Sequence, residues 1–248
     1  MELKEFFRDH EKVAVAFSGG VDSAYLLYEA LRYAQEVRAY YVRSEFQPQF
    51  EYEDARRLAE ELKADMRVLS VSVMEQLEVR ENPQNRCYYC KRKIFGEILK
   101  AAKEDGFSVL LDGTNASDDA GDRPGMKALE EFCVLSPLRI CGLTKAEIRK
   151  RSKEASLFTW DKPAYACLAT RIPTGEEITK EKLEATEQAE GYLAGLGFTD
   201  FRVRSDRGNA RIQIREDQLE KLLLCRPQIL RKLKEIYRTV SLDLEVRG

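Results

Sequence analysis

The stretch that decides the fold is Val13-Ala-Val-Ala-Phe-Ser-Gly-Gly-Val-Asp-Ser23. Its first five residues form a short, continuous apolar run, which is typical of a strand buried on both faces of a parallel sheet. A Ser-Gly-Gly turn follows, and apolar residues then recur at helical spacing from Ser23 to Ala34. This order of strand, glycine turn and helix predicts the first unit of an α/β sheet.

The turn itself is suited to a phosphate group. Gly19 and Gly20 permit a ligand to approach the backbone closely, and the amides at a helix N-terminus face an anion. Ser18 and Ser23 add hydroxyl donors, whereas Asp22 repels a phosphate and is expected to act through a bridging Mg²⁺. The turn is not a Walker loop, because G-x-x-x-x-G-K-[ST] is absent. The alternative is a tight turn that binds nothing.

Strands and helices alternate after this turn. The further expected strands are 37–42, 68–73 and 108–111; the expected helices are 51–62, 88–103 and one that begins at the capping box Thr144-Lys-Ala-Glu147. Such alternation predicts a parallel sheet with helices on both faces.

A smaller α/β domain is expected after the segment 162–177, which is rich in Pro, Thr and Gly and has the composition of a linker. Its expected elements are a helix at 180–196, paired strands at 201–204 and 210–215, a helical region at 216–237 interrupted by Pro227, and a last strand at 240–246. We therefore predict two domains, 1–165 and 166–248.

Composition limits the class of protein. Of the 248 residues, 44% are hydrophobic and 34% are charged, as in a folded, soluble protein. The net charge of −2 argues against a nucleic-acid substrate, although a local basic patch stays compatible with it. The sequence has no run of about 18 apolar residues that would predict a membrane helix, and the charged start Met1-Glu-Leu-Lys lacks a signal peptide's apolar stretch. We expect a cytoplasmic protein without membrane partners.

The six cysteines are expected to be thiols, because no export signal points to an oxidising compartment. His10 is the only histidine, which excludes a Ser-His-Asp triad and a zinc site rich in histidine. Cys133, Cys141 and Cys225 have no partner at the spacing of metal ligands, and we interpret them as structural, with Cys133 buried.

Cys87-Tyr-Tyr-Cys90 begins a predicted helix, next to the cations Arg86, Lys91 and Arg92. Helix N-termini and neighbouring cations favour thiolates. This C-x-x-C is compatible with a redox pair, half of a zinc site or two packed thiols. If Cys167 joined the pair, three thiolates would suit zinc or an iron–sulfur cluster. A [4Fe–4S] cluster normally takes four cysteines, so three leave one iron open to an extra sulfide.

Two family resemblances follow from these motifs. Ser18-Gly-Gly-Val-Asp-Ser23 resembles the loop of the PP-loop ATP pyrophosphatases, which have a Rossmann-like, adenine nucleotide alpha hydrolase-like fold and form an adenylated intermediate from ATP. Asp112-Gly-Thr-Asn115 resembles their second nucleotide motif, which implies that Gly113 and Thr114 contact ATP. Ser44 stands where the superfamily contacts the adenosine; the alternative is an ordinary loop serine.

The second resemblance is to the LarE family, from about residue 11 to residue 215. It rests on Asn82-Pro-Gln-Asn-Arg-Cys-Tyr-Tyr-Cys-Lys91, Asp122-Arg-Pro-Gly125 and Cys167-Leu-Ala-Thr-Arg171. LarE enzymes insert sulfur into pyridinium-3,5-dicarboxylate mononucleotide, a step towards the nickel-pincer nucleotide of lactate racemase. One form sacrifices the cysteine that matches Cys167, and another form holds a [4Fe–4S] cluster on three cysteines. The presence of Cys87 and Cys90 resembles the cluster form; sacrificial and zinc chemistry are the alternatives.

The LarE resemblance implies further roles. Lys91 is expected to stabilise developing negative charge, and arginines are expected to bind the phosphate and carboxylates of the acceptor. These arginines are Arg123, Arg171, Arg202 and Arg204. The alternative for the two strand arginines is a solvated face. Gln213 stands where relatives carry an acid, which argues against a carboxylate metal contact there.

The resemblance makes 1–165 an ATP pyrophosphatase domain and 166–248 a domain for acceptor binding and oligomerisation, in hexamers by analogy with relatives. Three rival functions stay open: a tRNA thiolase of the same superfamily, an amide-forming ligase, and a nucleotide-binding module stapled by zinc. A ligase needs an ammonia source, and 248 residues leave no room for a glutaminase domain. The sequence does not identify the sulfide donor.

Overall fold

Strand β1 (Lys12–Ala16) lies inside a parallel sheet in the computed structural model, which describes residues 1–118 and 124–246. The other strands are β2 (Glu36–Arg43), β3 (Met66–Ser70) and β4 (Leu110–Leu111), in the spatial order β3-β2-β1-β4. Val13, Ala14 and Val15 have no exposed surface, because helices cover both faces of the sheet. The predicted Rossmann-like α/β fold is confirmed.

Helices occur at 21–33, 49–61, 86–104 and 145–154, close to where the sequence predicts them, and also at positions where it predicts none. They are α1 (Leu3–Asp9), α2 (Val21–Tyr33), α3 (Gln49–Glu61), α4 (Leu77–Arg80), α5 (Arg86–Glu104), α6 (Pro124–Glu131), α7 (Pro137–Ile140) and α8 (Lys145–Glu154). Ala24, Leu27 and Ala30 form the fully buried face of α2, and burying one such leucine stabilises the fold by about 1.5–3 kcal/mol. No helix in the described ranges combines the length and the apolar character needed to cross a bilayer.

The start of α8 confirms half of the predicted capping box. Thr144 Oγ1 accepts a hydrogen bond from the amide of Glu147 at 3.3 Å. The Glu147 carboxylate turns away from the cap and accepts from Arg151 Nε at 2.7 Å. An i,i+4 ion pair has therefore replaced the reciprocal bond of the box.

The C-terminal part forms a second, three-stranded sheet. Its elements are α9 (Lys180–Gly195), β5 (Arg202–Asp206), β6 (Asn209–Gln213), α10 (Leu219–Leu233) and β7 (Thr239–Leu242). β5 and β6 are antiparallel, and β6 and β7 are parallel. The alternating residues Val203, Ala210 and Ile212 are buried in one core with residues of α9 and α10.

The interruption predicted at Pro227 is wrong, because α10 runs through it. Proline removes the hydrogen bond to the carbonyl four residues earlier, here that of Leu223. The Leu223 residue is 61% exposed, so water can reach the carbonyl in place of the missing amide.

The chain divides into two compact units, Met1–Glu75 with Asn85–Lys162, and Gln76–Gln84 with the chain from Pro163 onward. Asn82 shows why the short segment belongs to the second unit: its Nδ2 donates to Pro173 O at 2.8 Å, and its carbonyl accepts from Gly175 N at 2.8 Å. The predicted boundary at residue 165 and the roles of the two domains stay predictions.

Candidate active site

The loop between β1 and α2 is held by its two serines. The hydroxyl oxygens of Ser18 and Ser23 are 3.0 Å apart, and Ser23 Oγ donates to the carbonyl of Gly20 at 3.2 Å. The Gly20 amide donates to Ser18 Oγ at 3.4 Å. The two hydroxyls thus shape the backbone at the N-terminus of α2, a position that suits an anion.

Two glycines of the predicted nucleotide site are required by close packing. Gly19 has a φ of +73°, and a Cβ there would stand 2.9 Å from the Cβ of Ala55 on α3. Gly113, after β4, approaches the first turn of α2 so closely that a Cβ would stand 2.8 Å from the Ser23 amide nitrogen. Residues 112–115 therefore lie next to the phosphate loop, and a contact of Gly113 and Thr114 with ATP stays a prediction. The neighbouring Thr114 donates to Asp112 Oδ2 at 2.5 Å.

Asp22 combines one ion pair with one free oxygen. Lys145 Nζ, at the start of α8, donates to Asp22 Oδ2 at 2.5 Å. Asp22 Oδ1 is buried and has no hydrogen-bond partner among the described residues. Burial raises the pKa of Asp22 above its usual value, and Lys145 opposes this shift. A buried carboxylate oxygen without a partner fits the hard oxygen ligand that Mg²⁺ prefers.

Lys145 is the residue of this site that sequence reasoning missed. It lies 123 positions from Asp22, so no local spacing connects the two. The only signal was the predicted N-cap at Thr144, which makes Lys145 the first residue of α8. Nothing in the pattern of α8 indicated that this end of the helix faces the phosphate loop.

Ser44 lies directly after β2, as predicted. Its hydroxyl donates to Gln47 Oε1 at 2.5 Å and accepts from the Phe46 amide at 3.3 Å. In this structure the hydroxyl therefore closes its own turn. A contact between Ser44 and adenosine stays a prediction.

The C-x-x-C pair lies in the first two turns of α5. Cys87 is exposed, Cys90 is half-buried, and neither forms a disulfide with another described cysteine. The largely buried Arg86 donates to Cys87 Sγ at 3.7 Å, so a cation stands beside one of the two sulfurs. Lys91 is half-buried on the next position of the helix.

Cys167 belongs to the second unit, where it is half-buried before a short 3₁₀ turn, Leu168–Arg171. Within the described ranges, no three or more His, Cys, Asp or Glu side chains form a group that could hold a metal ion. The three-cysteine cluster therefore stays a prediction. Cys133, which was expected to be buried, is exposed. It has a φ of +52° in the turn after α6, which directs its side chain outward.

Three predicted acceptor-binding arginines hold the backbone around Cys167. Arg171 Nη1 donates to Ala166 O at 2.8 Å, Arg202 Nη2 donates to Ala164 O at 2.7 Å, and Arg204 Nη1 donates to Thr170 O at 2.6 Å. The fourth arginine, Arg123, lies outside the described residues. Binding of the acceptor by these arginines stays a prediction.

Glu190 completes the surroundings of Arg171. Arg171 Nε and Nη2 donate to the Glu190 carboxylate at 2.8 and 3.1 Å, and the Arg171 side chain is fully buried. Tyr165 Oη donates to Glu190 Oε2 at 2.6 Å. Burial and the charge of Glu190 raise the pKa of Tyr165. Sequence reasoning missed Glu190, which lies on α9 and carried no motif.

Gln213 stands between an arginine and an acid. Its Oε1 accepts from Arg204 Nε at 2.8 Å, and its Nε2 donates to Asp243 Oδ2 at 2.8 Å. The side-chain amide of Gln213 therefore links Arg204 to the carboxylate of Asp243, a residue that the sequence analysis did not single out. Hydrogen bonds, with Gln213 as the largest cause, lower the pKa of Asp243.

Comparisons with known proteins bear on the same residues. Residues 12–85 match the family described as queuosine biosynthesis protein QueC. The chain is 32% identical over 240 residues to the pyridinium-3,5-bisthiocarboxylic acid mononucleotide synthase of Lactiplantibacillus plantarum, with 96% of this chain and 87% of the relative covered. It is 36% identical over 225 residues to an uncharacterised protein of Synechocystis sp., with 89% and 83% covered.

A more distant relative is a tRNA-specific 2-thiouridylase, MnmA of Thermotoga petrophila, at 27% identity over 188 residues, which are 59% of this chain and 52% of the relative. The fold, the phosphate loop and these matches define the chain as a PP-loop enzyme, of the class that uses ATP. It belongs to the family of pyridinium-3,5-bisthiocarboxylic acid mononucleotide synthases, which confirms the resemblance to LarE.

Proposed function

We propose that the chain uses ATP to adenylate a carboxylate of pyridinium-3,5-dicarboxylate mononucleotide and converts that carboxylate into a thiocarboxylate. The observation that carries the proposal is the geometry at Asp22. A buried carboxylate oxygen, unpartnered among the described residues, stands at the N-terminus of α2, directly after the Ser-Gly-Gly turn. The family relationship extends over nearly the whole chain and supports the same substrate.

The first half of the reaction is adenylation. The loop amides would face the phosphates of ATP, and Asp22, with Lys145 beside it, would hold Mg²⁺, which supplies positive charge to the phosphates. A carboxylate oxygen of the acceptor attacks the α-phosphorus, and the bond from that phosphorus to the bridging oxygen breaks. Pyrophosphate leaves with the electron pair, and positive charge at the loop stabilises it. The acceptor now carries AMP as a good leaving group.

The second half replaces AMP by sulfur. Sulfide attacks the acyl carbon of the adenylate, the carbon–oxygen bond breaks, and AMP leaves with the electron pair. The product is a thiocarboxylate, and a second cycle converts the other carboxylate. A [4Fe–4S] cluster held by Cys87, Cys90 and Cys167 would supply the sulfide. Thiolate donors fit such a cluster. Lys91, which directly follows Cys90, would stabilise the charge that develops on the acyl oxygen.

The proposal is tested by incubating the protein, purified without oxygen, with ATP, Mg²⁺, sodium sulfide and pyridinium-3,5-dicarboxylate mononucleotide. We expect pyrophosphate and AMP in equal amounts, and a mass gain of the acceptor by exchange of oxygen for sulfur. No pyrophosphate above the level without acceptor would contradict the adenylation step.

The sulfur source is tested by iron, sulfide and zinc analysis of wild type and Cys167→Ala. About four irons and four sulfides per chain, lost in the variant, are expected for the cluster. Zinc, or no metal, would refute it. A sacrificial cysteine would instead leave dehydroalanine at position 167, visible as a mass loss after one turnover.

The relationship to MnmA favours one rival, a tRNA thiolase. The net charge of −2 does not favour a tRNA surface. A gel-shift assay with unmodified tRNA separates the two functions, and we expect no complex at physiological salt. The hexameric assembly and the cytoplasmic location stay predictions.

A further inference from the structure

Gly125, in the first turn of α6, leaves room for the side chain of Lys91. A Cβ on Gly125 would stand 2.6 Å from Cδ, 2.8 Å from Cε and 3.0 Å from Nζ of Lys91. Contacts shorter than 3.0 Å force a neighbour to move. The outer half of the Lys91 side chain therefore occupies space that exists only because residue 125 has no side chain.

The backbone of α6 gives no reason for this glycine. Gly125 does not have the positive φ that would require one, and glycine weakens a helix relative to alanine. Gly96 on the neighbouring α5 is a useful comparison, because a Cβ there would stand 3.8 Å from Phe132 Cζ, an ordinary contact. Of these two helical glycines, only Gly125 has a neighbouring side chain that an added methyl group would displace.

The ammonium of Lys91 differs from the cations of its neighbours on α5. Arg92 Nε lies 3.3 Å from Glu131 Oε2, and Lys93 Nζ lies 2.9 Å from Glu97 Oε1. Across the described ranges, Lys91 makes no hydrogen bond or ion pair. The packing of α5 against α6 therefore holds the methylenes of Lys91 and leaves its charge available to a ligand.

We infer that Gly125 is a positioning residue, which sets where the Lys91 ammonium stands next to the C-x-x-C turn. The inference rests on the proposed function, in which Lys91 faces the negative charge that develops during sulfur transfer. Such charge stabilisation is sensitive to displacements of about 1 Å. A methyl group at position 125 displaces the flexible end of Lys91 and leaves the two helices in place.

The test compares wild type with Gly125→Ala, Lys91→Ala and the double variant, with Gly96→Ala as the matched control. We expect Gly125→Ala to lower kcat for thiocarboxylate formation about tenfold or more. KM for ATP should stay at its wild-type value and Tm should not fall, because the phosphate loop is intact and alanine favours a helix over glycine. The double variant should be no slower than Lys91→Ala, since both changes remove one interaction. Gly96→Ala should match wild type.

A second readout does not depend on turnover. Lys91 should react faster with acetic anhydride in Gly125→Ala than in wild type, as measured by peptide mass spectrometry. An unchanged rate of acetylation would overturn the inference whatever the activity.

The kinetic outcomes separate this inference from the proposed function. If Gly125→Ala kept the wild-type kcat while Lys91→Ala was slow, the positioning role would be overturned and the proposed function would stand. Additive losses in the double variant would overturn it as well. Failure of the wild type to form pyrophosphate with the acceptor would instead remove the proposed function.

Discussion

Two regions of the first unit place an aspartate beside cations, but the pKa is lowered in one aspartate and raised in the other. Near the starts of β2 and β3, Asp105 accepts from Tyr40 Oη at 2.7 Å and from Arg67 Nη1 at 2.9 Å, and Arg38 Nη1 lies 3.0 Å away. These donors hold the pKa of Asp105 at about 2. Asp22 has one cation and one oxygen without a partner among the described residues, and burial raises its pKa. The protein completes the first cluster with its own donors, whereas the second keeps one carboxylate oxygen without a partner among the described residues.

The comparison teaches how to interpret the arginines of the second unit. Glu190 accepts from Arg171, from Tyr165 and, at 2.9 Å, from the amide of Val203. This cluster is closed in the manner of Asp105, although its arginine was predicted as a ligand of the acceptor. We therefore expect the closed clusters to support the fold and the open one to bind a ligand, so changes to the two kinds should affect different measurements.

The largest expected effect on activity is at the open cluster. Asp22→Asn removes the charge that we propose to hold Mg²⁺, and we expect pyrophosphate release to fall on the order of 100-fold or more. The measurement is a pyrophosphate assay over a range of Mg²⁺ concentrations. The exposed Asp161→Asn serves as control. If Asp22→Asn kept normal activity, the distinction between open and closed clusters would fail.

At the closed cluster of the second unit we expect a loss of stability. Arg171→Met leaves the Glu190 carboxylate buried without its cation, which should lower the free energy of unfolding by about 3–5 kcal/mol. Urea denaturation followed by circular dichroism measures it. Arg211→Met is the control, because Arg211 is a surface partner of Asp243 and such pairs contribute about 1 kcal/mol or less. Unchanged stability with lost acceptor binding would favour the ligand role instead.

A smaller effect is expected where the phosphate loop meets α3. Gly19→Ala introduces a strained backbone and a close contact with Ala55, at a total cost of about 2–4 kcal/mol. Gly142→Ala is the matched control, because Gly142 also has a positive φ, +70°, but a Cβ added there would meet nothing within 4 Å. It should cost only about 1–2 kcal/mol. Equal losses in the two variants would show that α3 does not constrain the loop.

The smallest effect is the pH dependence of the Asp105 cluster. The folded pKa of about 2 lies below the ordinary 3.8, so the ionised carboxylate stabilises the fold above about pH 4 and this contribution is lost as the pH falls towards about 2. Asp105→Asn should therefore differ most from wild type near neutral pH and converge with it near the folded pKa. A constant difference in Tm over this range would contradict the shift.

The phosphate loop could be predicted from residues close together in the sequence. The partners of its side chains could not, because they come from distant parts of the chain. The residues from Val13 to Ser23 specified strand, turn and helix, because their propensities and apolar spacing act over a few positions. The partner of Asp22, Lys145, was invisible because the fold brings it from 123 positions away. The exposure of Cys133 was missed for another reason. Its apolar neighbours in sequence indicated a buried segment, whereas the backbone at Cys133 forms a left-handed turn.

The segment Gln76–Gln84 makes the second unit discontinuous along the chain. A ribosome completes this segment long before the residues that it pairs with, Gly175 and Ile178, whose amides donate to Asn82 O and Arg80 O at 2.8 Å. During synthesis, the carbonyls of Asn82 and Arg80 therefore lack these hydrogen bonds until roughly 90 further residues have been added. A protease cut near residue 165 would therefore not release two independent domains, and the early piece would keep a helical turn that belongs to the late one.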